Sequence, residues 1–298
     1  MSNASAAAKT PIRGKSKKNS QLKEIWRRFR KNKSAMVGLV VLLLFALIAI
    51  FADLIVPYEK AIEQNGAIRL QAPSSEHLFG TDAFGRDTFA RILHGSRVSL
   101  SIGFAAVGIS LIVGGLLGAA AGYYGGAIDN IIMRIMDVFM CIPGILLALA
   151  IVAALGTGMR NLLIAIAISS VPSFVRLIRS VILTVVENDY IEAARSYGAK
   201  DFRIIVKYIL PNAMGPIIVQ ATMGIAGTIL SAAGLSYMGK GIQPPSPEWG
   251  AMLSEARDYM RTTPHLLYFP GFAILISALC FNLVGDGLRD ALDPKLKD

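Results

Sequence analysis

Charge is what this chain has least of. Only 17% of its 298 residues are Asp, Glu, Lys or Arg, against 54% hydrophobic, and the mean hydropathy is +0.54. An ordinary soluble domain carries about 25% charged residues, so that class is excluded. Histidine is scarce as well: His77 and His94 lie in one polar loop and His265 beside an apolar run. None stands with an acid in a ligand spacing such as HExxH, so no metalloenzyme signature exists. Cysteine is down to Cys141 and Cys280, each in or beside an apolar run. Two separated thiols make neither a disulfide framework nor a metal-binding spacing. A nucleotide loop is missing too. Gly14-Lys15-Ser16 invites one, but Lys9 stands where its first glycine belongs and no strand precedes it.

Long uncharged runs fill the chain instead. Several approach or exceed the ~20 residues that cross a bilayer as a helix. They predict an all-α polytopic membrane protein with six transmembrane helices. The first covers residues 36–56; it is too long for a signal-peptide core and has no cleavage site, so it stays as an anchor. The second covers 98–123, where Gly114, Gly118 and Gly122 put bare backbone on one face for close helix packing. The third runs over about 129–155, with Pro143-Gly144 as a kink. The fourth starts over 161–175 and extends toward Val186, with Pro172 inside and Arg176 and Arg179 as its basic end. The fifth covers 213–237 and the sixth about 266–285. The stretches 98–123, 138–155, 161–175, 213–237 and 266–285 hold no Asp, Glu, Lys or Arg. Ion-coupled transporters keep ionisable groups at mid-membrane, so the energy for this chain is expected from outside it.

The polar segments are equally patterned. Residues 1–20 have almost nothing to bury and read as a disordered tail. Residues 21–33 predict a basic amphipathic helix on the inner membrane surface, with Leu22, Ile25, Trp26 and Phe29 on one side, held by anionic lipid. In the loop over 57–97, Gly80, Asp82, Gly85 and Asp87 take turn and cap positions, and 88–93 predicts a short amphipathic helix. In the loop over 238–265, Pro244, Pro245 and Pro247 prevent regular structure, Trp249 suits a membrane interface, and 251–260 predicts a short helix.

The longest polar interruption in the second half is 187–216. Asn188 or Asp189 caps a first helix with Glu192 in its first turn, followed by Ala193, Ala194 and Arg195. Gly198 breaks it as a left-handed C-terminal residue. Asp201 caps a second helix whose apolar side is Ile204, Ile205, Tyr208 and Ile209, and Pro211 and Pro216 mark the passage onward. Two short helices at a glycine elbow, outside a membrane, make a handle for a soluble partner.

Glu192-Ala193-Ala194, Gly198 and Leu210-Pro211 resemble the "EAA" loop of permease subunits in bacterial ABC importers. Phe79-Gly80-Thr81-Asp82, Gly85-Arg86-Asp87 and the Pro-Pro-x-Pro-Glu-Trp-Gly run resemble its dipeptide and oligopeptide branch, on the shorter-loop side of the permease pair. The resemblance implies a type I importer permease fold with cytoplasmic coupling helices in the bacterial plasma membrane. It implies that Glu192, Ala193, Ala194, Arg195, Gly198 and Ala199 shape the coupling to ATPases, with Leu210-Pro211 setting the exit into the fifth span. It implies a second permease subunit, two cytoplasmic ATPases that bind ATP and Mg, and an external substrate-binding protein. Asp82, Arg86, Asp87, Glu248 and Trp249 then serve either as caps and anchors or as contacts for that delivery protein. No cofactor, catalytic residue, metal or nucleic-acid partner is expected in this chain. The resemblance divides it into a basic tail over 1–35, a first helix over 36–56, an external loop over 57–96, a core domain over 97–287 with its coupling loop over 187–212, and a tail over 288–298. Peptides are the default cargo, with nickel and oligosaccharides as alternatives. An ATP-independent secondary transporter or channel is the rival of another class. With the N-terminus in the cytosol, 21 of the 30 Lys and Arg fall inside and 9 outside. That bias agrees with the positive-inside tendency and puts both termini and the elbow in the cytosol.

Overall fold

The structure, a computed structural model, describes residues 17–293. The tail over residues 1–16, with Gly14-Lys15-Ser16, and residues 294–298 lie outside the described residues. Among the described residues there is no strand, only an isolated bridge between Thr81 and Asp87.

Helix α1 (Lys17–Phe29) leads into α2 (Lys33–Ile55), capped by the Asn32 side chain, which accepts the Ala35 N–H. Phe29 is buried while Trp26 is half exposed and stacks on it. A short helix α3 (Glu59–Ile62) and a compact loop follow. Helix α4 (Thr88–Tyr124) starts at Asp87, whose carboxylate accepts the Ala90 N–H at 2.8 Å. It is a single helix of 37 residues, not the short helix and separate span expected. Gly95, at the expected break, is there for contact: a Cβ on it would lie 3.1 Å from the Trp249 ring. At 1.5 Å per residue α4 is about 55 Å long, so it overreaches the ~30 Å hydrocarbon layer.

The third expected span is two helices, α5 (Gly126–Met140) and α6 (Gly144–Leu155), bent by 86°. Pro143 starts α6 and has no N–H to continue the ladder of α5, so the chain turns a corner and does not merely kink. Helix α7 (Met159–Val186) is continuous through Pro172. Arg176 and Arg179 stand within it, not at its end, because each has an acid waiting on α5. Arg176 donates to Asp137 at 2.9 Å, and Arg179 makes a two-pronged pair with Asp129.

Helix α8 (Asp189–Ser196) is followed by α9 (Asp201–Ile204), a π turn (Ile205–Ile209) and α10 (Leu210–Tyr237). The last three form one uninterrupted helix, Asp201–Tyr237. Leu210-Pro211 therefore sets no exit; Pro211 lies inside this helix directly after the π turn, which shifts the hydrogen-bond register where its N–H is missing. Helices α11 (Trp249–Ala256) and α12 (His265–Leu292) complete the chain. Among the described residues five helices are long and apolar enough to cross a membrane, or six when the bent α5–α6 pair counts as one.

Helices α4 and α7 run side by side along the three glycines. A Cβ at Gly114 would lie 2.6 Å from Phe174 Cβ, one at Gly118 2.8 Å from the Val175 carbonyl, and one at Gly122 3.0 Å from the Arg179 carbonyl. The expected close approach is present, and it is made within the chain. The main core joins Phe174, Ile178 and Ile182 of α7 to Ile217, Ile225 and Ile229 of α10 and to Ile274 and Phe281 of α12. Large apolar side chains on the outer faces, such as Leu43, Leu116 and Leu275, stay exposed. An inside-out surface of that kind belongs in lipid.

Candidate functional site

The bundle has two polar ends. At one, which we name the elbow end, α8 leaves the bundle after α7. Asn188 occupies its N-terminal cap position, yet its amide turns back and donates to the Thr184 and Val185 carbonyls of α7. It closes the preceding helix instead of opening the next. Asp201 likewise makes no side-chain cap on α9; its carboxylate accepts the Tyr123 hydroxyl at 2.7 Å.

The exit from α8 is closed by two crossed hydrogen bonds. Ala199 N–H reaches the Ala194 carbonyl at 3.1 Å, and Gly198 N–H reaches the Arg195 carbonyl at 2.9 Å. This is the Schellman pattern, which needs a left-handed residue at Gly198. Its φ is +73°. No atom crowds a Cβ there, so the glycine is required by backbone conformation alone.

Ile191 is fully buried and Ala194 and Ala199 are half-buried, which seats the elbow on the core. Glu192, Ala193, Arg195 and Pro211 are exposed on its outer side, and Leu210 is 42% exposed. Tyr197 is 92% exposed and Phe202 78%. Sequence reading missed both rings, since an aromatic beside a span reads as an interface anchor. Two large rings are thus presented to solvent beside the exposed Glu192 and Arg195, a composition enriched in protein-contact patches. Next to Phe202 runs an apolar groove of about 560 Å³, walled by Leu116 of α4, Ile182 of α7 and Met214 of α10.

At the other end, the loop end, the five expected contact residues are mostly out of reach. Asp82 is 9% exposed, Arg86 and Trp249 are fully buried, and Glu248 is 1% exposed. They act as caps and braces. Asp82 accepts the Phe84 and Arg86 N–H groups and the Arg86 guanidinium at 2.6 Å. Asp87 caps α4 and holds His77 at 2.8 Å. Glu248 caps α11, accepting the Gly250 and Ala251 N–H groups at 2.8 Å each. Burial pushes its carboxyl above the usual range, opposed by those two donors. Trp249 is no interface anchor, because its indole N–H donates to the Ile92 carbonyl inside the protein. A contact role for these buried residues is thereby corrected. Sequence reading also missed Glu255, which bonds both Arg86 and Arg91 from about 165 residues away in the chain. Among the described residues no group of three or more His, Cys, Asp and Glu gathers to hold a metal.

Comparison with known proteins shows the family. The family model for binding-protein-dependent transport system inner membrane components matches residues 114–298, and that for the N-terminal transmembrane domain of oligopeptide transport permease C matches 20–73. The dipeptide transport system permease protein of Alkalihalophilus pseudofirmus is 52% identical, over 93% of this chain and 91% of the relative. The glutathione transport system permease protein of Pectobacterium atrosepticum is 50% identical over 92% and 91%. The di/tripeptide transport system permease protein of Pseudomonas aeruginosa is 48% identical over 94% of each. Among solved structures, an inward-facing form of the MetNI methionine ABC transporter aligns with a TM-score of 0.57 at 18% identity. It covers 69% of this chain and 97% of that one, a likeness of fold. The chain therefore belongs to the binding-protein-dependent transport system inner membrane components: it is a multi-pass permease subunit of an ABC importer, with a type I permease fold, and not an enzyme.

Proposed function

We propose that this subunit forms half of the translocation pathway of an ATP-driven importer of di- or oligopeptides, and that the elbow is where a cytoplasmic ATPase docks. Two relatives named for dipeptide and di/tripeptide transport support that cargo. On this reading a second, homologous permease supplies the other half. Two ATPases carry the ATP and Mg, and a binding protein delivers cargo at the loop end. Both termini and the elbow face the cytosol. The exposed tops of the loop over 57–96 receive the delivery protein, with Asp82, Arg86, Asp87, Glu248 and Trp249 bracing them from below.

The observation that carries the docking role is the closed elbow itself. A Schellman turn at Gly198 fixes the direction of α8 while Glu192, Ala193, Arg195, Tyr197 and Phe202 stay exposed. When nucleotide closes the ATPase dimer, the elbow follows, and the bundle exchanges one open side for the other. The nucleotide acts by binding two conformations unequally.

Gly198→Pro removes the N–H that Arg195 accepts and forces a negative φ. Glu192→Lys reverses a charge on the exposed face. Either change removes about 2 kcal/mol of docking energy, roughly a thirtyfold loss of affinity for the ATPases. Uptake should fall accordingly in whole cells while membrane insertion is unchanged. Normal uptake in both variants rules the docking role out.

A further inference from the structure

Tyr123 is the last residue but one of α4 and is only 8% exposed. It touches both halves of the elbow. Its hydroxyl donates to Asp201, which opens α9, at 2.7 Å, and the Arg195 guanidinium of α8 lies 5.1 Å from its ring centre. The neighbouring residue Gly122 lets α4 close on Arg179 and Ile182 of α7. Helix α7 in turn runs into α8 through the Asn188 amide. The contacts close a ring: α4 to α7 along the glycines, α7 to α8 through Asn188, and α8 and α9 back to α4 through Tyr123. A ring of that kind cannot flex without opening one of its joints. The next irregular point in the chain is the π turn at Ile205–Ile209, a geometry frequent at functional sites.

We propose that Tyr123 is a positioning residue that locks the elbow to α4, so that the elbow moves with the ends of α4 and α7 and not by itself. This rests on the docking role given above and names the joint through which the docked motor's movement enters the bundle. The hydrogen bond carries most of the lock, since it is short, part-buried and made to a carboxylate. The ring under Arg195 adds a weaker hold. One of the two is lost if either half of the elbow swings away, so the joint resists movement of the elbow by itself.

The test uses the complete importer with its ATPases and binding protein, reconstituted in lipid, carrying Tyr123→Phe, Asp201→Ala or both. Transport per ATP hydrolysed should fall on the order of tenfold in each, the factor for one hydrogen bond to a charged group. The double variant should be no worse than either single one, because both remove the same bond. A second readout needs no partner. Spin labels at Ser196→Cys on α8 and Leu116→Cys on α4, with Cys141 and Cys280 replaced by serine, report the distance between the elbow and α4. A narrow distribution should broaden with Tyr123→Phe. An unchanged distribution overturns the lock. A broadened distribution with unchanged transport per ATP leaves the lock standing and overturns the docking role instead.

Discussion

Glu255 holds two arginines at once. It accepts from Arg86 at 2.6 Å and from Arg91 at 3.0 Å, and both guanidinium groups are sealed from solvent. Asp82 completes a neutral set of two cations and two anions, at 2.6 Å from Arg86 and 3.1 Å from Arg91. Paired buried charges of this kind add little over an apolar core, but removing one partner leaves the others uncompensated. Glu255→Ala should therefore cost about 3–5 kcal/mol, read as a lower unfolding midpoint of the purified chain in detergent. Glu255→Gln, which keeps one acceptor, should fall between it and the wild type. A variant as stable as wild type shows that water replaces the carboxylate and that the cluster braces nothing. None of this is written in the local sequence. Glu255 looks like one acid in a polar loop, and its partners are far away in the chain.

Among the elements, the legible features were those whose causes are local. Uncharged runs gave the spanning helices, and the four-residue glycine spacing gave the α4–α7 seam. Gly198 gave the end of α8 because a left-handed residue is a local demand. What failed was decided by tertiary contact. The gap read between a helix ending at 93 and a span starting at 98 holds Gly95, a seat for Trp249, and Trp249 looks like a lipid anchor and is a core residue. Pro211 looks like the end of a helix, but the π turn before it absorbs the register and the helix continues. The seam allows a direct test within one helix. At Gly118 a Cβ meets the Val175 carbonyl, and backbone cannot move aside cheaply. Gly118→Leu should destabilise the protein by about 1–3 kcal/mol or more through overpacking. Gly108, on the same helix, has nothing within 4 Å of its Cβ. Gly108→Leu should stay within about 0.5 kcal/mol of wild type. Equal effects of the two substitutions on the melting temperature would mean that helix composition matters and the seam does not.

At the scale of the whole molecule, orientation follows from which end carries which charges and which partner. Helices α4 and α7 run from the loop end to the elbow end, and α10 returns, so the Tyr237 carbonyl meets Ser254 in the second loop. Lys240, three residues beyond α10, is exposed at that loop end. Ser196 is exposed at the elbow end. If the elbow meets a cytoplasmic ATPase, these two positions face opposite compartments. The bias of Lys and Arg toward the elbow end makes the same demand, since positive loops stay inside. The check is a chain with Cys141 and Cys280 replaced by serine and a single cysteine at Lys240→Cys or Ser196→Cys. A membrane-impermeant maleimide, applied to intact cells or to spheroplasts where an outer membrane intervenes, should label the first. It should label the second only after permeabilisation. Labelling of Ser196→Cys from outside would turn the bundle over and would put the elbow where no ATP is available. The exposed rings of Tyr197 and Phe202 would then need a different partner.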